Sequence, residues 1–556
     1  MAKLGIHFSH DSTIAYSPKP GIYRSYELER LTKKRYFSID MYQLFTEKLY
    51  CEETTEFIFK RLSEEIKKEF GEEGLIIEKI TVDQKYPEVN KPELNPGGLP
   101  IHKHIDKVLR DYFHVQEGVQ WEMKCHHMMH SLSAFFQSPF EEALVISFDA
   151  GGLAENENFA NYFVGAHIKR NGQAKYVFSN RLHLCSLYNA FPYLTRDVRG
   201  NINSVPGKAM GLSGYGAPSR ELYKKLKPII EAEEWINIRV YKDGTGELDC
   251  DYLYDVISRH FEVPKYEKLD FNNSSILLAT VQQLFEDVFI DSIKSTVYKL
   301  NLPIVISGGG ALNVLNNTRV KNEFKLPVFI PCNPNDTGTA IGGLLEDDKP
   351  KDPVDLRFSN WDLFDRDKLN FYVKERKAEI YNIREISEYI RSGKIIGVVR
   401  GRSECGPRAL GNRSIICDPS IKGMKDVLNE KVKHREHYRP FAPMVLQDEA
   451  NEYFNWDNSP APHMSFSSLV RSKYSDKLKE ITHFDSTARI QTITLQDNPW
   501  YFYLLNEMKK TGLPVLLNTS FNILGKPILN TIEDALNVLD NTELDYVIVE
   551  DYIFKK

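Results

Sequence analysis

Three short apolar runs stop abruptly in clusters of small and acidic residues, and this recurrence limits the fold more than any other feature of the chain. Leu4–Phe8 runs into Ser9, His10, Asp11 and Ser12; Ala143–Phe148 runs into Asp149, Ala150, Gly151 and Gly152; Leu302–Ser307 runs into Gly308, Gly309 and Gly310. Each reads as a buried strand feeding a polar turn. After the third, ALNVLNNTRVKNEF has helical spacing, and VFIPCNPNDTGTAIGGLL reads as strand, loop and Gly-rich helix start. The pattern predicts an α/β fold with its chemistry at strand ends.

The 556 residues suffice for two to four domains, at about 150 residues each. Residues 351–380 combine charges, prolines and weak periodicity, which predicts a linker between a domain over 1–350 and a second α/β unit over 381–556. The stretch from about 40 to 120, rich in Glu, Lys and aromatics, reads as a helical insertion with solvated charged faces. A net charge of −6 gives no global field toward nucleic acid or anionic lipid. Seven scattered Cys without a CxxC pair fit neither a disulfide framework nor a Cys-type zinc site. With no long apolar run at the N-terminus and no membrane-length stretch, a cytoplasmic protein with reduced thiols is expected.

Within Lys124–His130 (KCHHMMH), His126 and His130 are i,i+4 partners. On a helix they share a face and can ligate one metal, whereas His127 points roughly 100° away. Asp149 at its strand end and Asp336 in the NDTG loop would complete two imidazoles and two carboxylates, a set suited to Fe(II), Mn(II) or Zn(II). Three Gly-bearing loops, DAGG, GKAMGLSGYG and SGGGALN, let backbone amides approach a ligand and match neither GxxxxGK[ST] nor GxGxxG. They favour a split nucleotide cleft of the actin/sugar-kinase kind, with Lys208, Gly309, Gly310 and Asn313 as candidate contacts.

The C-terminal part carries GRSECGPRALGNRS, KVKHREHYRPFAP, FDSTARIQT and VLLNTSFN. Arg408, Arg413, Lys433, Arg435 and Arg489 stand among Gly, Pro and hydroxyl residues, where guanidinium forks and an ammonium suit phosphoryl oxygens. Ser520 and Asn522 alternate with Phe521 at the end of an apolar run, so their polar side chains can share a face. Glu404, Glu430 and Glu436 leave an ion-paired surface as the structural alternative.

In this order the segments resemble the NodU/CmcH family of ATP-dependent O-carbamoyltransferases, over nearly the whole chain. GPRALGNRS, KHRE..RPFAP, TARIQT, LNTSFN, the HDS near residue 10 and the HxxxH pair carry the resemblance. It implies an N-terminal actin-like (ASKHA, duplicated RNase H-like) domain similar to that which transfers threonylcarbamoyl to tRNA, and a C-terminal domain similar to the YrdC-like carbamoyl-adenylate synthases. Carbamoyl phosphate and ATP with magnesium would yield carbamoyl adenylate in the second domain. There Lys433, Arg435 and Ser520 would hold phosphates, and Arg408, Arg489 and Asn522 would complete the site. A metal, expected to be iron, on His126, His130, Asp149 and Asp336 would orient the adenylate for attack by an acceptor hydroxyl, with His10 deprotonating or orienting that hydroxyl. A mixed anhydride of this kind hydrolyses in water, so internal passage between sites is expected. The family reads HDSAA, GGVALN and an aromatic before GPRALG, where this chain has HDSTI, GGALN and Cys405; the binding motifs persist.

The acceptor stays open at this stage. A small molecule or sugar is the first expectation. A hydroxymethylated DNA base is the second, with the basic stretch Lys33–Phe37 as a possible phosphate contact. A nucleotide-binding regulator without transferase activity is the alternative from another class. The resemblance also implies a homodimer, and the lack of a membrane-length apolar run leads us to expect no membrane partner.

Overall fold

In the computed structural model, the described residues are 2–39, 52–84, 101–119, 121–153, 160–180, 182–231, 237–240, 246–362, 366–523 and 525–556. The chain divides into two compact units: residues 1–28 with 36–356, and residues 29–35 with 357–556.

The first unit contains two sheets of like design. β1 (Ala2–His7), β2 (Thr13–Lys19) and β3 (Ile22–Glu27) form an antiparallel meander, and β4 (Ile76–Gln84), β5 (His114–Val115) and β6 (Trp121–Cys125) extend it. β4 lies parallel to β1 and carries both β5 and β6, giving the order β3-β2-β1-β4-β5 with β6 also on β4. The second sheet repeats the scheme: β7 (Glu142–Leu153), β8 (Ala160–Lys169) and β9 (Ala174–Asn180) meander. A hairpin of β10 (Asn237–Val240) and β11 (Gly246–Asp249) stands apart. β12 (Ile304–Ser307) and β13 (Val328–Phe329) then add in parallel, in the order β13-β12-β7-β8-β9. The apolar runs read from the sequence are the central strands β1, β7 and β12; Ile6, Ile146 and Ile306 are fully buried.

Helices His126–Gln137 and Thr339–Asp348 pack together, and the second also lies on β1. The approach is close enough to need glycine. A Cβ on Gly342 would stand 2.2 Å from the Met129 carbonyl oxygen, and one on Gly5 2.0 Å from that of Ala340.

The stretch expected to be a helical insertion does hold the helices Glu52–Phe70 and Ile101–Tyr112, but β4 runs between them at the middle of the first sheet. Its apolar residues Ile76, Ile77, Ile80 and Val82 were hidden among flanking Glu and Lys; residues 40–51, 85–100 and 120 lie outside the described residues. Within 351–380, helix Arg366–Arg376 and the short strand β14 (Glu379–Ile380) form.

The second unit is a nine-stranded mixed sheet. Besides β14 it has β15 (Ile396–Val399), β16 (Arg413–Cys417), β17 (Ala442–Leu446), β18 (Phe466–Leu469), β19 (Thr487–Ile493), β20 (Val515–Ser520), β21 (Tyr546–Val549) and β22 (Tyr552–Lys555). Their order is β14-β22-β21-β15-β16-β20-β17-β19-β18. Helices Ile383–Arg391 and Pro499–Lys509 cover its core of Ile386, Ile390, Val398, Ile416, Met444, Leu504, Leu516 and Ile548. The segment 29–35 joins this unit through the Arg30 guanidinium, which donates to the Gly406 carbonyl at 2.8 Å, and through the Lys33–Asp534 ion pair at 2.7 Å. Among the described residues no helix is long and apolar enough to cross a membrane.

Candidate functional sites

Strand register assembles the first site. Ile6 pairs with Val82 in the parallel β1/β4 ladder, which brings His7 beside Asp83 at the strand ends; Gln84 pairs with Cys125, so β6 ends where the helix bearing His126 begins. In the second sheet Ser307 pairs with Ser147, which brings Gly309 to Asp149. Gly308 makes that turn at φ 86°, where a Cβ would stand 2.2 Å from the Phe148 carbonyl oxygen. Asp336 opens the short turn leading into helix Thr339–Asp348.

His126, His130, Asp149 and Asp336 are all buried, and one ligand atom from each lies within 4.8 Å of all the others. His130 Nε2 is 3.2 Å from Asp336 Oδ1 and 3.7 Å from Asp149 Oδ2; His126 Nε2 is 3.8 Å from Asp336 Oδ1. Two backbone groups also hold Asp149: its Oδ2 accepts from Gly309 N–H at 2.7 Å and its Oδ1 from Ala150 N–H at 2.6 Å. Neither Nε2 atom of His126 or His130 makes a hydrogen bond. A buried imidazole nitrogen without a partner costs free energy unless something else occupies its lone pair. Two such nitrogens facing two carboxylates are what a divalent cation needs, so these four residues fit a metal ion. Burial is the main influence on His126 and holds its pKa below the ordinary value, the direction that favours the neutral ring a ligand must be.

His10 stands at the rim, its side chain 38% exposed, with Nε2 3.5 Å from Asp336 Oδ2 and Nδ1 3.4 Å from Asp11 Oδ2. Asp11 takes the left-handed region at φ 64°, tolerable for Asp, and Ser12 Oγ ties the turn to the carbonyls of Phe8 and Ser9 at 2.5 and 2.7 Å. The sequence reading missed two residues beneath the site. Asp83 lies 2.7 Å from His7 Nδ1 and 2.9 Å from His126 Nδ1. Burial alone would lower the pKa of His7, but hydrogen bonds to Asp336 and Asp83 outweigh it and push the value up to about 10; the two imidazoles hold Asp83 far below the carboxylate range despite its burial. A lone Asp ending the ITVDQ strand carries no spacing signal, and only the register exposes its role.

Of the four nucleotide-contact candidates, Gly309 supports Asp149. Gly310 packs so closely that a Cβ would meet the Phe148 ring at 2.5 Å. Asn313 is engaged with Gln282 and caps helix Val314–Phe324 through Asn316 N–H at 3.1 Å. Lys208 Nζ donates to the Arg199 carbonyl at 2.6 Å.

The second site lies in the second unit. Lys433 ends a π-helical turn, Leu428–Lys433, and His434 reverses the chain at φ 48° before Arg435. The buried Lys433 ammonium donates to the Ser520 carbonyl at 2.6 Å, the Asn522 carbonyl at 2.7 Å and the Asn522 side-chain oxygen, so its three donors fasten the end of β20. Ser520 Oγ donates to Asn522 Oδ1 at 2.7 Å. Arg435 stacks over Phe441 at 4.4 Å and donates to Asn429 Oδ1 at 2.8 Å. Burial first, and then neighbouring guanidinium charges, press the pKa values of Lys433, Arg435 and Arg489 well below their ordinary values; the neighbours are Arg435, Arg439 and Arg35 for Lys433, Arg439 for Arg435, partly opposed by the Glu436 carboxylate, and Arg408, Arg435 and Arg439 for Arg489. Arg489 Nε makes no hydrogen bond. Cations crowded this way repel one another unless an anion joins them.

Arg413 is not among them. Fully buried, it donates to the carbonyls of Arg400, Asn412 and Gly401 at 2.9, 2.8 and 3.0 Å, and so braces the loop that bears Arg408. Glu404 completes that brace, accepting from the backbone of Leu410, Gly411 and Arg413 at 2.9–3.0 Å.

Two family models cover the chain: the carbamoyltransferase N-terminus matches residues 2–345 and the carbamoyltransferase C-terminus matches residues 387–556. The chain therefore belongs to the carbamoyltransferase family of enzymes. It is similar to nodulation protein NolNO of Sinorhizobium fredii (strain NBRC 101917 / NGR234), 32% identical over 454 residues that cover 78% of this chain and 63% of that protein, thus less than two thirds of its length. It is also similar to nodulation protein U of Rhizobium tropici, 26% identical over 99% of this chain and 96% of the relative. A distant likeness links it to full-length HypF in the phosphate- and nucleotide-bound form, at a TM-score of 0.33 and 12% identity over 63% of this chain and 55% of the other.

Proposed function

We propose that the protein makes carbamoyl adenylate from carbamoyl phosphate and ATP in its second unit, and transfers the carbamoyl group to an acceptor hydroxyl in its first. Water releases phosphate from carbamoyl phosphate; the resulting carbamate oxygen attacks the α-phosphorus of ATP, and pyrophosphate leaves. The acceptor oxygen then attacks the carbamoyl carbon, AMP leaves, and the hydroxyl proton passes to a base. Arg408, Arg435 and Arg489 hold phosphoryl oxygens, while Lys433 keeps Ser520 and Asn522 at the floor of that site. Magnesium accompanies the ATP. The observation that carries the proposal is the coexistence of the dense cationic cluster and the buried His126–His130–Asp149–Asp336 group in a member of this family.

At the first site, the four ligands would hold a divalent cation, iron in our reading, which supplies Lewis-acid polarisation and a template when bound. His10, exposed at the rim beside Asp336, takes the proton or orients the hydroxyl. The repeated strand order of the two sheets supports an actin-like reading of the first unit, and the Lys433-x-Arg435 and Ser520-x-Asn522 pairs, which resemble the signature of the YrdC-like synthases, support a YrdC-like reading of the second. We propose a hydroxyl-bearing small molecule or sugar as acceptor and a cytoplasmic homodimer as the working form.

Incubating the protein with ATP, carbamoyl phosphate and a panel of hydroxyl acceptors tests this by mass spectrometry. A carbamoyl mass increment with pyrophosphate and AMP is expected, and both donors should be required. Formation of ADP and a phosphorylated acceptor would instead mark a kinase, and nucleotide binding without turnover a sensor.

A further inference from the structure

Asp83 belongs to none of the motifs, yet its wholly buried side chain lies between two imidazoles. Its Oδ1 and Oδ2 are 3.0 and 2.9 Å from Nδ1 of His126, and Oδ2 is 2.7 Å from Nδ1 of His7. An ionised carboxylate only accepts, so each Nδ1 carries a proton. For His126 this fixes the tautomer and leaves the lone pair on Nε2, the atom turned toward His130 and Asp336. Across His7, Nε2 lies 3.1 Å from the His10 carbonyl and 3.4 Å from Asp336 Oδ2. Asp336 is thereby held by one oxygen, with Oδ1 left facing His130 at 3.2 Å.

We propose that Asp83 is the positioning residue of the cation site, setting the tautomer and ring direction of His126 and, through His7, the rotation of the Asp336 carboxylate. The inference rests on the cation reading above. One carboxylate thus aims two ligands that stand on different elements, the helix following β6 and the turn before helix Thr339–Asp348. Carboxylates behind metal-bound histidines fix ring orientation and raise ligand basicity in this way, and their loss weakens metal binding about 10- to 100-fold.

Co(II) titration of the metal-free full-length protein, followed by visible d–d absorption, tests it without recourse to activity. Asp83→Asn removes the negative charge and replaces one of the two accepting oxygens with an NH2 donor, which in one orientation faces the His126 Nδ1–H and in the other faces both Nδ1–H groups. A folded Asp83→Asn protein, with unaltered far-UV circular dichroism, should bind Co(II) about 10- to 100-fold more weakly with shifted bands, and Asp83→Glu should recover part of the affinity. Equal affinity and unchanged bands would overturn the proposal. Should Asp83→Asn not fold, His7→Asn decides, because it spares the Asp83–His126 contact and cuts the link to Asp336. Weakened binding there supports the proposal, and unchanged binding overturns it. Failure of the unaltered protein to bind Co(II) would overturn the cation reading itself, and this inference with it.

Discussion

At the scale of single residues, the proposed function assigns the two sites different half-reactions. His10 is the one imidazole of its cluster with substantial exposure, so its removal should act on transfer alone. His10→Asn is expected to lower carbamoyl transfer by about 10²- to 10⁴-fold while pyrophosphate release continues; equal loss of both half-reactions would reject the assignment. Lys433→Ala should do the converse, because without the ammonium Ser520 and Asn522 lose their common anchor. Pyrophosphate release should fall below detection while transfer from supplied carbamoyl adenylate persists. The contrast between these residues and Asp83 shows what a sequence reveals. His126 and His130 stand four apart on one chain segment, Asp336 lies in a recognisable turn, and Asp149 follows an apolar run, although the expected turn there is instead an irregular stretch of β7, which continues to Leu153. Asp83 and His7 meet only through the β1/β4 register, and Arg413 resembles Arg408 in sequence although its two terminal nitrogens donate to three backbone carbonyls.

At the scale of elements, the first site depends on how closely helix Thr339–Asp348 lies against helix His126–Gln137. Gly342 permits that approach. A side chain there must push the Met129 backbone away, and with it the turn of helix between His126 and His130. Gly342→Val is expected to cost about 1–3 kcal/mol, the usual penalty of overpacking, and to weaken divalent-metal binding in parallel; thermal melts with and without added Co(II) would measure both. Strands at the ends of Gly- and Asp-bearing runs were legible because continuous apolar segments bounded by turn residues have few other uses. β4 was not, since Glu and Lys on both sides made its neighbourhood look like solvated helix. The Gly-rich start of Thr339–Asp348 was visible as composition, but its partner, the Met129 backbone, could not be.

At the scale of the molecule, the proposed function puts its two half-reactions in units that should respond to different treatments. Stripping the cation with a chelator should halt transfer from supplied carbamoyl adenylate and spare pyrophosphate formation in the presence of magnesium; parallel loss of both, with magnesium restored, would argue against a cation dedicated to the first unit. The boundary between the units is also not a single cut. Residues 29–35 belong with 357–556, and Arg30 reaches the Gly406 carbonyl. During synthesis, this short piece leaves the ribosome about 320 residues ahead of the body it completes. At roughly 5–20 residues per second, it must remain available for at least about a quarter of a minute to a minute, so the second unit finishes folding only by recruiting a segment made well before the rest of it.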